Sequence, residues 1–238
     1  MSGEIEDLAS RYLAFLGYAF NKSLGRFRNF MAYDRRWLED VGSEDSHGRA
    51  LWALGAVLGR SGHAGLRGLA GRIYDRALAA TLEFTSPRAW ASTLLAIHEY
   101  LRRFSGDRAA QSVRQTLAER LMTLYERTQG PQWPWFEDVA SYANAILPHA
   151  LLLSGYALSR PEMAQAGLTA LDWLATIQTG VGDHFAPIGS QGFYRRGGEK
   201  ARFDQQPIEA QTMVSACLEA ARLTGDRRWH NEAVRAFE

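Results

Sequence analysis

The sequence predicts an all-α protein, and three observations lead to that prediction. Leu51, Leu54, Gly55 and Leu58 follow the i, i+3, i+4, i+7 spacing that puts apolar groups on one face of a helix. Similar stripes fill most of the chain, and no stretch is convincing as a strand. Turns at 105–107 and 224–226 combine a helix-ending glycine with a helix-capping aspartate. The further stripes lie at 63–84, 88–105, 108–128, 143–159, 162–178 and 208–223.

Two kinds of helix alternate along the chain. One kind is rich in leucine and small residues and follows a loop of aromatic and charged residues, whereas the next kind is more strongly charged. This alternation is typical of helical hairpins in two layers, with the small-residue helices inside and the amphipathic helices outside. The small-residue segments are SEDSHGRALWALGAVLG, PRAWASTLLAIHEYL, YANAILPHALLLSGYAL and PIEAQTMVSACLEAARL. We expect a single helical-hairpin domain over residues 1–238.

Composition and charge exclude several classes of protein. The 27 basic and 26 acidic side chains give a net charge of +1, which provides no field to attract a nucleic acid. The single cysteine, Cys217, rules out an internal disulfide framework and fits a reducing compartment. The amino terminus lacks the basic start of a secretory peptide, and no apolar run reaches the ~20 residues of a membrane span. We expect a cytoplasmic protein that binds neither nucleic acid nor a membrane.

Cofactor and metal motifs are missing from the sequence. There is no HExxH, no paired-cysteine metal motif, no GxxxxGK loop and no GxSxG elbow, and GVGDHF lacks the third glycine of a dinucleotide fingerprint. We therefore predict no bound cofactor and no metal.

The densest chemical cluster is WPWFED, residues 133–138. A sugar has apolar C–H faces and a rim of hydroxyl groups, so its pockets combine aromatic rings with carboxylates, amides or guanidinium groups. This loop and the turn after it therefore predict a sugar-binding site. An alternative is a loop that fills the core with two tryptophans while its acids cap the following helix. The candidate residues are Trp133, Trp135, Phe136, Glu137, Asp138, Tyr142 and Asn144.

A second cluster, GSEDSHG at 42–48, opens the first small-residue helix. Its acids favour the positive end of a helix dipole, so ordinary capping explains it as well as a site does. Glycoside cleavage needs an acid and a second carboxylate, about 5 to 5.5 Å apart for retention or about 6.5 to 9.5 Å for inversion. We predict that one acid of this segment faces one acid of WPWFED across a pocket. The catalytic candidates are Glu44, Asp45, His47, Glu137 and Asp138, and Arg35 of the preceding YDRRWLED is a binding candidate.

The third cluster is FYRRGGEKARFDQQPIEAQ, residues 193–211. Gly197 and Gly198 indicate a turn, and Pro207 fits the first position of a helix in which Glu209 lies in the first turn. Capping explains Glu209, although we keep it as a binding candidate. Capping does not explain the polar residues before it, which predict a flap that binds sugar hydroxyls or an anion. The candidates are Tyr194, Arg195, Arg196, Asp204, Gln205 and Gln206.

Three of these motifs also carry a resemblance to a known group of proteins. GSEDSHGRALWALG, WPWFED with NAILPHALL, and PIGSQGFYRRGGEKARFDQQPIEAQTMVSA resemble a bacterial family, often uncharacterised or labelled glycosyltransferase-associated, within the (α/α) toroid superfamily of six-hairpin glycosidases. The resemblance runs from about Phe27 to the end. It implies a ring of hairpins whose pocket is lined by loops at one end and accommodates a sugar-containing molecule. We expect the loops at 42–47, 131–142 and 190–209 to converge there.

The helix count departs from this pattern. About nine helices can be counted where six hairpins need twelve, and AVRAFE ends within a helical stripe. A ring with this gap exposes apolar helix faces. We expect a natural chain that continues past Glu238, an open toroid whose edge is covered in a homodimer, or a smaller closed ring.

Two functions from different classes fit the sequence. The first is a carbohydrate-active enzyme, most simply a glycoside hydrolase with paired carboxylates, with an epimerase-like use of histidines as a variant. The second is a non-catalytic sugar-binding or scaffold partner of a glycosyltransferase. Two acids within about 10 Å, one with a raised pKa, favour the enzyme, and acids that point to solvent favour the scaffold.

Overall fold

The protein is described by a computed structural model that covers residues 3–238. Over that range the chain forms nine α-helices and only four strands of two residues each, which confirms the all-α class. The helices are α1 (Gly3–Ala19), α2 (Glu44–Arg60), α3 (Ala64–Ala80), α4 (Pro87–Leu101), α5 (Arg108–Thr128), α6 (Ile146–Ala157), α7 (Pro161–Ile177), α8 (Pro207–Thr224) and α9 (Arg228–Phe237). The strands are β1 (Phe20–Asn21), β2 (Arg26–Phe27), β3 (Val139–Ala140) and β4 (Tyr194–Arg195).

The strands form two antiparallel pairs, β1 with β2 and β3 with β4. All four lie in the connections between helices. Two residues are too few to show the alternation of apolar and polar side chains by which a strand is recognised in a sequence, so these strands were not predicted. The pairs fix the paths of loops, and Phe20, Phe27 and Ala140 within them are buried in the core.

Contacts divide the chain into two compact units, Met1–Leu117 and Ala118–Glu238. We call these unit 1 and unit 2 and describe each by itself. The expectation of a single domain stays a prediction.

In unit 1, α2 packs closely against α4. Glycines on α2 allow this, because a methyl group at Gly55 would overlap the backbone of Ala96, and one at Gly59 would overlap the backbone of Glu99. α2 also packs on α3, and α3 packs on α1. The small-residue helices thus use their glycines where two helix backbones meet.

In unit 2, α6 packs on α7 and α8 packs on α9, so each pair forms a helical hairpin, and α6 also contacts α8. Gly155 lies against Ala164 and Gly167 lies against Leu152, so the α6–α7 contact is again between backbones. Cys217 on α8 is completely buried, and burial raises the pKa of its thiol to about 12. The predicted hairpin pairing is therefore present in this unit.

Residues 3–238 contain neither a membrane-spanning helix nor a cluster of metal-binding side chains. No helix in this range is long and apolar enough to cross a membrane. Nor do three or more histidine, cysteine or acidic side chains gather there in a way that could hold a metal ion.

Candidate functional site

The WPWFED loop packs most of its aromatic rings into unit 2. Trp135 and Phe136 are completely buried, and the rings of Trp133 and Trp135 lie 4.8 and 5.2 Å from that of Trp173 on α7. The Trp133 indole N–H donates to the backbone oxygen of Glu137 at 2.8 Å and holds the loop closed on itself. Sugar stacking needs an exposed ring face, so this burial favours the core-filling interpretation for Trp135 and Phe136.

The predicted flap residues, from Tyr194 to Gln206, lie in a segment that pairs with the end of this loop; we call residues 189–206 the flap. Val139 lies opposite Arg195 and Ala140 opposite Tyr194 in the β3–β4 ladder. Within the flap, Gly189 bridges to Gln205. Two of the three loops expected to meet, 131–142 and 190–209, are thus brought together in unit 2. The third, 42–47, belongs to unit 1, and its place relative to them stays a prediction.

Arg196 fastens the flap to the loop. Its backbone N–H donates to the Asp138 backbone oxygen at 2.9 Å, and its guanidinium donates to the Thr128 backbone oxygen at 2.8 Å. The same guanidinium lies 3.8 Å from the Asp138 carboxylate. The guanidinium passes so close to Gly130 that a Cβ there would lie 2.5 Å from Arg196 Nη2.

A cavity of about 530 Å³ lies between the loop and the flap. This volume is within the range of small-molecule pockets, which is about 300–1,000 Å³. One wall is aromatic, where the rings of Trp133 and Tyr194 meet edge to face at 5.1 Å. Arg196 and Gln132 supply hydrogen-bond donors at the rim. We call this cavity the loop–flap cleft, and its lining is Pro131, Gln132, Trp133, Tyr194, Arg196 and Gly197.

Several predicted binding residues around the cleft are exposed. The side chain of Asp138 is 78% exposed and Tyr142 is 38% exposed. Arg195 is exposed on β4, and Asp204 and Gln206 are exposed at the base of the flap. Asp204 is held locally, since its carboxylate accepts hydrogen bonds from Ser190 Oγ and from Gln206 Nε2. These side chains are accessible to a ligand, and their contact with one stays a prediction.

Glu209 and Asn144, two predicted binding residues, are buried instead and bonded to each other. Glu209 Oε2 accepts from Asn144 Nδ2 at 2.9 Å and from Gln178 Nε2 at 3.2 Å, and Oε1 accepts from the Asn144 backbone N–H at 3.3 Å. Burial raises the pKa of Glu209 above its ordinary value, although the hydrogen bonds from Asn144 and Gln178 act to lower it. This is an enclosed network beneath the site.

In unit 1, Glu44 and Asp45 bind the start of α4. Glu44 Oε2 accepts from the backbone N–H groups of Thr85 and Ser86 at 2.8 and 2.7 Å, and Ser86 Oγ donates to Asp45 Oδ1 at 2.5 Å. These bonds satisfy donors next to a helix N-terminus. They favour the capping interpretation of GSEDSHG.

His47 is completely buried in unit 1. Its Nε2 donates to the Ala77 backbone oxygen at 2.9 Å, which leaves Nδ1 as acceptor for the Phe27 N–H at 3.4 Å. Burial, with a smaller contribution from the charge of Arg26, lowers its pKa to about 4 although the hydrogen bond to the Ala77 backbone acts to raise it, so the ring is neutral at physiological pH. The rings of Phe27 and Phe84 enclose it. This environment favours a packing role, whereas Arg35 is exposed on the loop before α2.

Two residues that contact the WPWFED loop or Glu209 in unit 2 were not predicted from the sequence. Gln178 follows directly after α7 and is completely buried, and Trp173 on α7 completes the aromatic cluster. The only available signal for Gln178 was a polar residue at the end of an apolar helical stripe, at 162–178. That signal does not reveal a partner 31 residues away.

Comparisons with known proteins give a fold. No protein-family model and no curated protein sequence matches the chain. Among solved structures, the chain is similar to the crystal structure of an unsaturated glucuronyl hydrolase specific for heparin, with a TM-score of 0.71 and 12% sequence identity. The match covers 96% of this chain and 64% of that chain, so the sequence spans just under two thirds of the solved structure. That structure is an α/α toroid of the six-hairpin glycosidase superfamily. The chain therefore has an all-α fold similar to that of this neighbour.

Proposed function

We propose that this chain is a carbohydrate-active protein, most simply a glycoside hydrolase-like enzyme whose sugar lies in the loop–flap cleft. The observation that carries the proposal is the fold similarity, which extends over 96% of the chain to a hydrolase of sugars. The cleft adds suitable chemistry, because the partly exposed Tyr194 supplies aromatic surface, backed by the buried ring of Trp133, and Arg196 supplies donors for a sugar rim.

In this proposal, Asp138 is the first carboxylate of the reaction. It is an exposed acid beside the cleft, and the Arg196 guanidinium lies 3.8 Å from its carboxylate. Glu137 precedes it in the same loop. Glycoside cleavage needs a second carboxylate beside it, with one acid protonating the leaving oxygen and the other acting as base or nucleophile, and Glu137 is the other acid of this loop that the sequence predicts for that role. The epimerase-like variant has less support, because the pKa of His47 is lowered to about 4 in a closed aromatic pocket.

The substrate class proposed first is an acidic oligosaccharide. The solved relative is named for unsaturated glucuronyl groups and for heparin. Arg195 and Arg196 place two guanidinium groups on the flap, and guanidinium groups pair well with carboxylates and sulfates.

The alternative is a non-catalytic sugar-binding or scaffold partner of a glycosyltransferase. Two observations favour it: the Asp138 carboxylate points largely to solvent, and Glu44 is engaged with the N-terminus of α4. In that case the cleft binds a sugar and nothing is cleaved.

A binding and turnover screen separates the two functions. Unsaturated disaccharides from heparin, neutral oligosaccharides and sugar phosphates are titrated calorimetrically and then assayed for release of product. We expect Asp138→Asn to lower turnover by at least about 100-fold, the usual size of a general acid–base contribution, and to leave binding within about threefold.

The control for this experiment is Asp172→Asn on α7. Asp172 is a half-exposed acid of the same unit that is paired with Arg228. The control should leave both turnover and binding unchanged. Binding without turnover by the wild-type protein would establish the alternative, and no binding by any of the sugars would overturn the whole proposal.

A further inference from the structure

The two helix connections that contain the candidate site both have an end that contacts the carboxyl group of Glu209. The α5–α6 connection, residues 129–145, contains WPWFED, and the α7–α8 connection, residues 178–206, contains the flap. Asn144 lies at the end of the first connection and Gln178 at the start of the second. Glu209 lies in the first turn of α8, directly after the second connection ends. Three of the four ends of these connections therefore meet at Glu209.

The contacts at this point are direct and enclosed. Glu209 accepts two hydrogen bonds from Asn144, one from the side chain and one from the backbone, and a third from the Gln178 side chain. Asn144 and Gln178 are completely buried and Glu209 is 2% exposed. Water therefore cannot replace these bonds, and removal of the carboxyl leaves buried amide N–H groups without a partner.

The amide oxygens show that Glu209 takes part in orienting both amides, together with the Ser141 backbone oxygen, which accepts a further hydrogen bond from Asn144 Nδ2 at 3.1 Å. Asn144 Oδ1 and Gln178 Oε1 have no hydrogen-bond partner among residues 3–238. Both amides direct their nitrogens to Glu209 while their oxygens stay unsatisfied, which is costly in a buried place. The interaction with Glu209 must therefore outweigh that cost.

Apart from the ring contact of Trp133 with Tyr194, the other ties between the loop and the flap are slight. The β3–β4 ladder has two residues in each strand, and such a pair is marginal by itself. Arg196 adds its bonds to Thr128 and Asp138, but its side chain is 43% exposed. Exposed contacts of this kind contribute little to stability. The buried Glu209 network is the stronger tie.

We infer that Glu209 is a positioning residue for the loop–flap cleft. It does not touch the ligand; it holds the WPWFED loop through Asn144 and the start of the flap connection through Gln178, and so sets the distance between the two walls of the cleft. The inference rests on the proposed function for its consequence in sugar binding, but the holding of the two connections can be measured without a sugar.

The experiment compares Glu209→Leu with Glu209→Gln. Leucine removes every acceptor, so we expect amide hydrogen exchange at 139–145 and 178–206 to accelerate at least about tenfold while α6 and α8 stay protected. Glutamine keeps one acceptor oxygen, and its new amide N–H can donate to Asn144 Oδ1 or Gln178 Oε1 once that amide turns over. We therefore expect exchange in Glu209→Gln to stay within about threefold of wild type, and sugar affinity to be retained in this variant and lost in Glu209→Leu.

The matched control is Thr212→Val, one turn further along α8. Thr212 is as buried as Glu209, but its hydroxyl bonds only to backbone oxygens of its own helix, those of Ile208 and Glu209. This variant reports general destabilisation of α8 and should not accelerate exchange in the two connections selectively. The inference is overturned if Glu209→Leu exchanges like wild type in both connections, or if it accelerates exchange everywhere as a general loss of stability would. Failure of wild type to bind any sugar overturns the proposed function alone, because the exchange result is read without a ligand.

Discussion

At the scale of single residues, burial separates the roles that residue type alone left open. Trp135 and Tyr142 are both aromatic and lie in the same connection, yet Trp135 is completely buried and Tyr142 is 38% exposed. A sequence shows that an aromatic ring is present, and it does not show which of two neighbouring rings turns inward. Tyr142 is therefore a better stacking candidate than Trp135.

Trp135→Ala tests this difference. Removal of a buried tryptophan leaves a cavity, and we expect the free energy of unfolding to fall by about 3–5 kcal/mol in urea denaturation. Tyr142→Ala should change it by less than about 1 kcal/mol and should weaken sugar binding instead. If Trp135→Ala loses sugar affinity at unchanged stability, the stacking hypothesis for WPWFED is right and the core-filling interpretation is wrong.

At the scale of elements, the helices were predictable because their cause is local. The apolar stripes predict α2 to α8 closely, since a helix needs only its own periodicity and end signals. The contact between α2 and α4 depends on a second helix. Composition indicated small residues on one kind of helix, and the structure shows which glycines lie at the contact.

Gly55→Ala tests that contact. In an isolated helix alanine is favoured over glycine by about 1 kcal/mol, but here the new methyl group overlaps the backbone of Ala96. We expect a net loss of about 1–3 kcal/mol in the free energy of unfolding, the usual cost of overpacking.

Gly68→Ala on α3 is the matched substitution for this test. Gly68 is exposed, and the nearest atom to a Cβ there is Arg72 Nη1 at 3.8 Å. Helix propensity alone should then act and raise stability by up to about 1 kcal/mol. A gain of stability in both variants would show that α2 and α4 do not depend on close backbone approach.

At the scale of the whole molecule, two buried carboxyl groups give stability opposite dependences on pH. Burial raises the pKa of Glu209, which has amide partners only. Burial also acts to raise the pKa of Glu99, but the hydrogen bond and charge of Arg60 outweigh it and lower that pKa below the ordinary value. A raised pKa in the folded state costs stability as pH rises, and a lowered pKa costs stability as pH falls.

The pH dependence of the free energy of unfolding, measured for one variant of each carboxyl group, tests the direction of each pKa shift. As pH rises from the ordinary glutamate value through the raised pKa of Glu209, wild type loses the stability that the protonated group contributed, and Glu209→Gln has no such loss. We therefore expect the Gln variant to gain stability relative to wild type across that window and the difference to level off above it. Urea denaturation in steps from pH 4 to pH 8 measures this difference.

Glu99→Gln should show the opposite trend. It loses the charge that pairs with Arg60, so it should be less stable than wild type at neutral pH, and the deficit should shrink as pH falls through the lowered pKa of Glu99. The same trend in both variants would contradict the assigned directions.

What could be predicted from the sequence depends on how far apart along the chain the interacting residues lie. The three clusters were found because each is dense over a short stretch, and WPWFED and the flap do meet in unit 2. The Glu209 network joins residues that are 31 and 65 positions apart, so no local pattern announces it. For the same reason Glu44 and His47 remained catalytic candidates in the sequence, whereas their bonds to Ser86 and Ala77, 42 and 30 positions away, favour structural roles.

The rate at which Cys217 reacts with a thiol reagent reports how often α8 opens. It is the only cysteine, it is completely buried on α8, and with its pKa raised to about 12 it holds almost no thiolate at neutral pH. A thiol reagent can therefore attack it only during the moments when α8 has separated from its neighbours. The rate of modification therefore measures the rate or the equilibrium of this opening. The sequence has no second thiol that would react in parallel, so no label has to be introduced.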